Sequence, residues 1–184
     1  MVNVKALRVG AVSALLVAGL GLAPVSPAGA APYCGIRWGS AADSKPAYST
    51  AKVVDVRAGR HACFDRMVVD LRGKVRGYDV RYVKKVYTEG EGRHVPLAGK
   101  ADLQVIVRAP AYTDSGRATY TPDDRYHVVD VDDYRTFRQI AFLGSFEGQT
   151  SFGLGVRARL PFRTFVLEGP GKTSRLVIDV AHRW

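Results

Sequence analysis

Beyond its apolar N-terminus, the 184-residue chain has no stretch of ten residues in which apolar side chains recur with a helical period. A helical core is therefore excluded and an all-β fold is expected. Cysteine is scarce: Cys34 and Cys63 are the only two. Neither has a histidine at ligand spacing, which leaves a zinc site without support. No uninterrupted apolar run reaches the roughly 20 residues that a membrane-spanning helix needs, so no transmembrane segment is expected. Acidic residues are few as well, 17 against 27 Lys and Arg, for a formal charge of +10.

Familiar catalytic and cofactor patterns are also missing. Gly169-Pro170-Gly171-Lys172-Thr173 has Val166 where a phosphate-binding loop needs its first glycine. A strand pattern follows it rather than a helix, so the segment is expected to be a hairpin turn. Asp130-Val131-Asp132-Asp133 lacks the Asp, Asn and Gly series of a calcium loop. The four histidines, His61, His94, His127 and His182, stand beside no serine or cysteine in a recognisable nucleophile–base arrangement. No cofactor, no metal and no catalytic residue is expected.

What is present begins with a leader. Lys5 and Arg8 precede the apolar run from Val9 to Leu22, followed by Pro24, Pro27 and Ala28-Gly29-Ala30-Ala31. That is the layout of a secretory signal peptide over residues 1–30. Loss of Lys5 and Arg8 with it takes the formal charge to +8. In an oxidising compartment, Cys34 and Cys63 are expected to pair. The bridge would tie an N-terminal arm, residues 31–51, onto a β domain, residues 52–184. A lipid-attachment site wants a small residue before its cysteine, and Tyr33 precedes Cys34. A secreted, soluble protein is the expectation, and export makes nucleic acid an unsuitable partner despite the charge.

The β domain is punctuated by Gly and Pro turns. Strands are expected around 53–57, 66–71, 78–82, 103–108, 137–143, 151–157, 162–167 and 175–180. Residues 109–127 read as a long surface loop and Asp130 to Arg135 as a helical turn. Phe152, Leu154 and Val156 alternate with Gly153 and Gly155, leaving one face bare for a bulge or a close backbone approach. Two segments echo each other: Arg66-Met67-Val68-Val69-Asp70-Leu71 and Arg175-Leu176-Val177-Ile178-Asp179-Val180. Alternation puts Met67, Val69 and Leu71 on one face and Arg66 and Asp70 on the other. The expected pairing is antiparallel about a pseudo-twofold axis, with Val68 facing Val177, Arg66 facing Asp179 and Asp70 facing Arg175. An internally repeated β-sandwich of short, mostly antiparallel strands follows.

The segments Asp65–Asp70, Gly77–Val83, Leu97-Ala98-Gly99, Gly144–Gly148, Phe152–Val156, Pro161-Phe162-Arg163 and Arg175–Val180 stand in an order and spacing that resembles the AMIN-like domain of secreted actinobacterial proteins. The resemblance spans roughly residues 50–182. It implies a small, internally symmetric β-sandwich related to the AMIN domain, which targets cell-wall amidases and envelope transport proteins to peptidoglycan. It implies a binding or localisation module and offers no catalytic residues to carry over. Many members look like lipoproteins, and Tyr33 marks a departure.

Arg72, Lys74, Arg76, Arg81, Lys84 and Lys85 form the densest basic run, with Arg157, Arg159 and Arg163 a second. Summed positive potential attracts anionic polymers, and for an exported protein those are the peptidoglycan and attached polymers of the cell wall. Tyr78 and Tyr82, interleaved with Arg81, suit either sugar stacking or the core. Two rival readings remain. One is a small secreted hydrolase using Asp123, Asp124, Asp130, Asp132 and Asp133, since glycoside hydrolysis needs two carboxylates about a scissile bond. The other is a protein-binding factor using the loop at 109–127.

Overall fold

The computed structural model describes residues 33–184, so the expected signal peptide lies outside the described residues. Among the described residues the fold has eleven strands: β1 (Asp43–Lys45), β2 (Lys52–Arg60), β3 (Phe64–Arg72), β4 (Tyr78–Val83), β5 (Val86–Tyr87), β6 (His94–Val95), β7 (Ala101–Val107), β8 (Phe137–Phe146), β9 (Gln149–Val156), β10 (Phe162–Glu168) and β11 (Thr173–Ala181). They form a five-stranded sheet in the order β1-β4-β7-β9-β8 and a four-stranded sheet in the order β10-β11-β3-β2. Every pairing is antiparallel. A small β5–β6 ladder stands apart.

Alternation along the strands builds the interior. Met67, Val69 and Leu71 of β3 and Leu176, Ile178 and Val180 of β11 meet Val80, Leu103, Val105, Phe152 and Leu154 from the other sheet in one buried cluster. Each such side chain contributes about 1.5–3 kcal/mol on full burial, which makes this sheet-on-sheet contact the main stabilising layer. The fold is an all-β sandwich.

The echoing strands pair as their sequences require. Val68 lies opposite Val177, Arg66 opposite Asp179 and Asp70 opposite Arg175. Hairpin β2–β3 on one side of that seam answers hairpin β10–β11 on the other, and β4–β7 answers β8–β9 in the facing sheet. The charges follow the symmetry only in part. Fully buried Asp179 accepts both guanidiniums, Arg66 at 2.6 Å and Arg163 at 2.8 Å. Asp70 is instead taken by Arg57 of β2 at 2.6 Å. Arg57 sits opposite Val68, past a register irregularity between Val53 and Asp55, whereas Arg163 sits directly opposite Asp179.

The glycine-bared face of β9 is a close approach. A Cβ at Gly155 would lie 2.1 Å from the Ala98 carbonyl oxygen, and one at Gly153 would lie 3.0 Å from Leu97. The 95–99 strap therefore crosses directly over β9. Nearby, Val86, Val95, Ala141 and Leu143 form a second small buried cluster with Leu97 against it. Residues 130–135 differ from expectation: Tyr134 N donates to the Val131 carbonyl at 3.0 Å, closing a single turn with no helix. The arm differs too, because its residues Asp43–Lys45 pair with β4 as an edge strand.

Cys34 and Cys63 are bonded, with Cα atoms 6.1 Å apart. The bridge fastens the arm to the β2–β3 turn, where Trp38 packs edge-on to Phe64 and under the Arg163 guanidinium. Closing this loop removes freedom from the unfolded chain and stabilises by about 3–4 kcal/mol on the chain-entropy account. Replacing both cysteines by serine is expected to cost that much in denaturant unfolding; an unchanged midpoint would contradict it.

Candidate ligand-binding site

The basic run is divided in space by β4. Arg72, Lys74 and Arg76 lie where the chain crosses from one sheet to the other, and Lys84 and Lys85 follow the far end of the six-residue β4. At about 3.3 Å per residue the two groups stand about 20 Å apart. Arg81 lies between them, ion-paired to Asp79 at 3.4 Å. At the far end, Lys84 joins Lys100 and Arg159 around a hollow that also holds Asp102. Burial pushes the Asp102 carboxyl above its ordinary value.

The near end assembles more. The β10–β11 turn brings Lys172 beside Lys74 and Arg76, and the arm lays Tyr48, Ser49 and Thr50 along the other side of a groove of about 540 Å³. Ser174 ties β11 to the β3–β4 connection, its Oγ accepting from Val75 N at 2.9 Å and donating to the Gly73 carbonyl at 2.7 Å. Lys74 is ion-paired to Glu168. Arg76 and Lys172 make no ion pair among the described residues.

Tyr48 is the aromatic member of this groove, and it is held while 55 % exposed. The Arg108 guanidinium lies 5.2 Å from its ring centre and donates to its hydroxyl at 3.2 Å. That hydroxyl donates to Gln149 Oε1 at 3.4 Å, and the ring rests against Gly148. A fixed exposed ring beside two cations and two small hydroxyls is suited to a sugar ring bearing acidic groups: CH faces stack on aromatics, while ammonium and guanidinium groups take anions.

Tyr78 and Tyr82 serve packing instead. Tyr78 is 2 % exposed, and burial, with Asp43 next to its hydroxyl, pushes its phenol up to about 12. Tyr82 both donates to and accepts from the Leu160 backbone, at 2.9 and 3.0 Å. A phenol raised in the folded state supports stability fully below its unfolded value, near 10, and loses that support as pH rises through about 12. Alkaline titration at 295 nm should therefore show Tyr78 ionising late. Tyr78→Phe should lower the late-titrating amplitude by one tyrosine, Tyr120 remaining in it; an unchanged amplitude would contradict the assignment.

The carboxylates of the hydrolase reading have local tasks. Asp124 Oδ1 accepts from Tyr126 N and His127 N at 2.7 and 3.2 Å, and its Oδ2 meets His127 Nδ1 at 3.0 Å. Those bonds hold the Asp124 carboxyl below its ordinary value. Asp130 accepts from Asp132 N at 3.0 Å, while Asp123, Asp132 and Asp133 are exposed. Of the other histidines, His61 stacks on Phe64 and His94 packs beside Tyr87. His182 is buried against Asp65, Nε2 to Oδ1, at 3.1 Å. Among the described residues no group of three His, Cys, Asp or Glu side chains is placed to hold a metal ion. No described helix is long and apolar enough to cross a membrane.

Sequence reasoning missed Tyr48 and Lys172. One is a lone aromatic in a polar arm and the other a turn lysine, and only the tertiary fold brings them to Arg76. Neither a curated protein nor a solved structure matches this chain. The family model described as AMIN-like domain matches residues 51–182, which takes in every strand from β2 to β11. By that match, and with a fold of the architecture described above, the chain belongs to the AMIN-like domain family.

Proposed function

We propose that this protein is an exported, non-catalytic binding module of the bacterial cell envelope that holds an anionic cell-wall polymer in the groove between the arm and the β3–β4 connection. The observation that carries the reading is the exposed, doubly anchored ring of Tyr48 facing Arg76 and Lys172. Family membership supports the cell-wall setting. The disulfide supports an oxidising compartment. Glycan binding through a stacked ring and flanking cations needs no nucleophile, which agrees with the local tasks of Asp124 and Asp130.

Sedimentation with isolated cell wall tests it. Wild type should pellet at low salt and weaken as salt rises, because exposed charges are screened over about 10 Å at 0.1 M. Reversing Arg72, Lys74 and Arg76 to Glu should remove most of the retention. Tyr48→Ala should weaken it under high salt as well, where stacking persists. Reversing Lys84 and Lys85, at the other end of β4, should leave retention near wild type. Equal loss from the reversals at the two ends of β4 would reduce the effect to net charge. Release of soluble sugars or muropeptides during incubation would favour the hydrolase reading instead.

A further inference from the structure

A second hollow, of about 480 Å³, lies under the 109–125 segment. Its volume falls within the range of about 300–1,000 Å³ usual for small-molecule sites. It stands across the β8–β9 turn from the groove: Tyr48 rests on Gly148 from one side, and the Tyr112 hydroxyl accepts from Gly148 N at 3.0 Å from the other. Tyr112, Tyr120, Phe142 and Pro122 supply the walls. The Tyr120 ring is fixed edge-on to Phe142 and Phe152, with centroids 5.4 and 6.1 Å apart.

The polar side chains of this hollow are Tyr112, Tyr120, Thr121, Arg125 and Ser145, and Ser145 Oγ is already taken up by Ala111 N and the Gln149 carbonyl. Arg125 lines it and makes no ion pair among the described residues. Its Nε is buried without a hydrogen-bond partner, which leaves a charged donor unsatisfied. Its position is set by the main chain, since the Arg125 carbonyl accepts from Phe142 N at 2.6 Å. The Tyr112 hydroxyl, already accepting from Gly148, has its proton to give. Tyr120 makes no side-chain hydrogen bond among the described residues, and burial with nearby Asp55 pushes its phenol up to about 12, keeping it a donor. No carboxylate lines the hollow.

We infer that this hollow is a ligand subsite for a single carboxylate carried on a sugar ring, with Arg125 as the carboxylate receptor and Tyr112 and Tyr120 against the ring. One guanidinium balances one negative charge, and its planar fork matches a carboxylate in two parallel hydrogen bonds. Donors at the rim require a ligand rich in acceptors, and aromatic walls require a face of CH groups. A sugar acid has both. The saccharide part of this inference rests on the wall-binding reading; the anion receptor rests on Arg125.

The test is a titration of the isotope-labelled protein, followed by amide and guanidinium nuclear magnetic resonance signals. N-acetylmuramate and glucuronate are the acidic probes, with N-acetylglucosamine as the neutral one and sodium acetate as the bare anion. The acidic sugars should shift the signals of Ala111 N, Gly148 N and Arg125 Nε and bind at least about tenfold tighter than the neutral sugar, the scale of a charge-assisted bond. Arg125→Gln should remove that margin, and Ala118→Phe, which fills the hollow and keeps the guanidinium, should abolish binding. Thermal unfolding of both variants identifies any loss due to misfolding, and either variant, folded, suffices. Acetate binding as tightly as the sugar acids would overturn the ring, and the neutral sugar doing so would overturn the carboxylate. The Arg72, Lys74 and Arg76 reversal should spare sugar-acid binding. Intact wall retention with no sugar-acid binding would remove this subsite alone; sugar-acid binding without wall retention would remove the groove reading alone.

Discussion

Asp65→Ala is expected to destabilise the fold by about 3–5 kcal/mol. Asp65 is 1 % exposed at the head of β3. Its Oδ2 accepts from the backbone N–H groups of Thr136 and Phe137 at 2.6 and 3.2 Å. Its Oδ1 accepts from His182 Nε2 at 3.1 Å. One carboxylate thus joins the four-stranded sheet, the entry to β8 in the facing sheet and the end of β11. Alanine would leave all three buried donors unpaired. Asp65→Asn should cost clearly less, since its amide oxygen still serves the Thr136 and Phe137 N–H groups. Urea unfolding of both variants checks this, and a loss below about 1 kcal/mol for Asp65→Ala would contradict the role.

Gly77→Ala is expected to lift the arm from the five-stranded sheet. A Cβ there would lie 1.9 Å from the Ala47 carbonyl oxygen and 2.6 Å from that of Lys45. Both obstacles are backbone, so no rotamer change relieves them, and overpacking of this kind costs about 1–3 kcal/mol. The edge strand is held by its pairing with Tyr78, Asp79 and Val80 and by the Tyr78 hydroxyl, which donates to Asp43 at 3.2 Å. It should yield before the core does. Hydrogen exchange at Asp43–Lys45 should accelerate far more than exchange at Met67 or Ile178. Because Tyr48 follows that strand, wall retention should fall with it. Unchanged exchange along the arm would show that the contact is tolerated.

The parts of the fold legible in the sequence are those governed by the two-residue period. Leu176, Ile178 and Val180 face the other sheet in the common buried cluster, and a one-residue slip would have turned them all away from it. That constraint and the opposed charges of Arg66 and Asp179 were enough to place the register. Gly153 and Gly155 signalled the crossing strap because a bare strand face implies something close by. β1 carried no such mark: Asp43-Ser44-Lys45 is polar throughout, and main-chain bonds place it. The Asp65–His182 contact spans a separation of 117 residues, beyond any local pattern. In the groove, Arg72, Lys74 and Arg76 were visible as a charge run. Tyr48, Lys172 and the separation from Lys84 were not, because each depends on which strands become neighbours.

The claim that the groove holds wall polymer is tested most directly by mapping where the polymer lands. Solubilised, sonicated cell-wall glycan added to the labelled protein should perturb the amides of Tyr48, Ser49, Gly73, Arg76 and Lys172, with Gly148 and Gln149 in the turn behind Tyr48 following. Perturbations concentrated around Lys84, Lys100 and Arg159, or on the outer face of the four-stranded sheet around Asp70 and Arg175, would contradict the account. So would a glycan that sediments with the protein yet leaves Tyr48 and Arg76 unmoved.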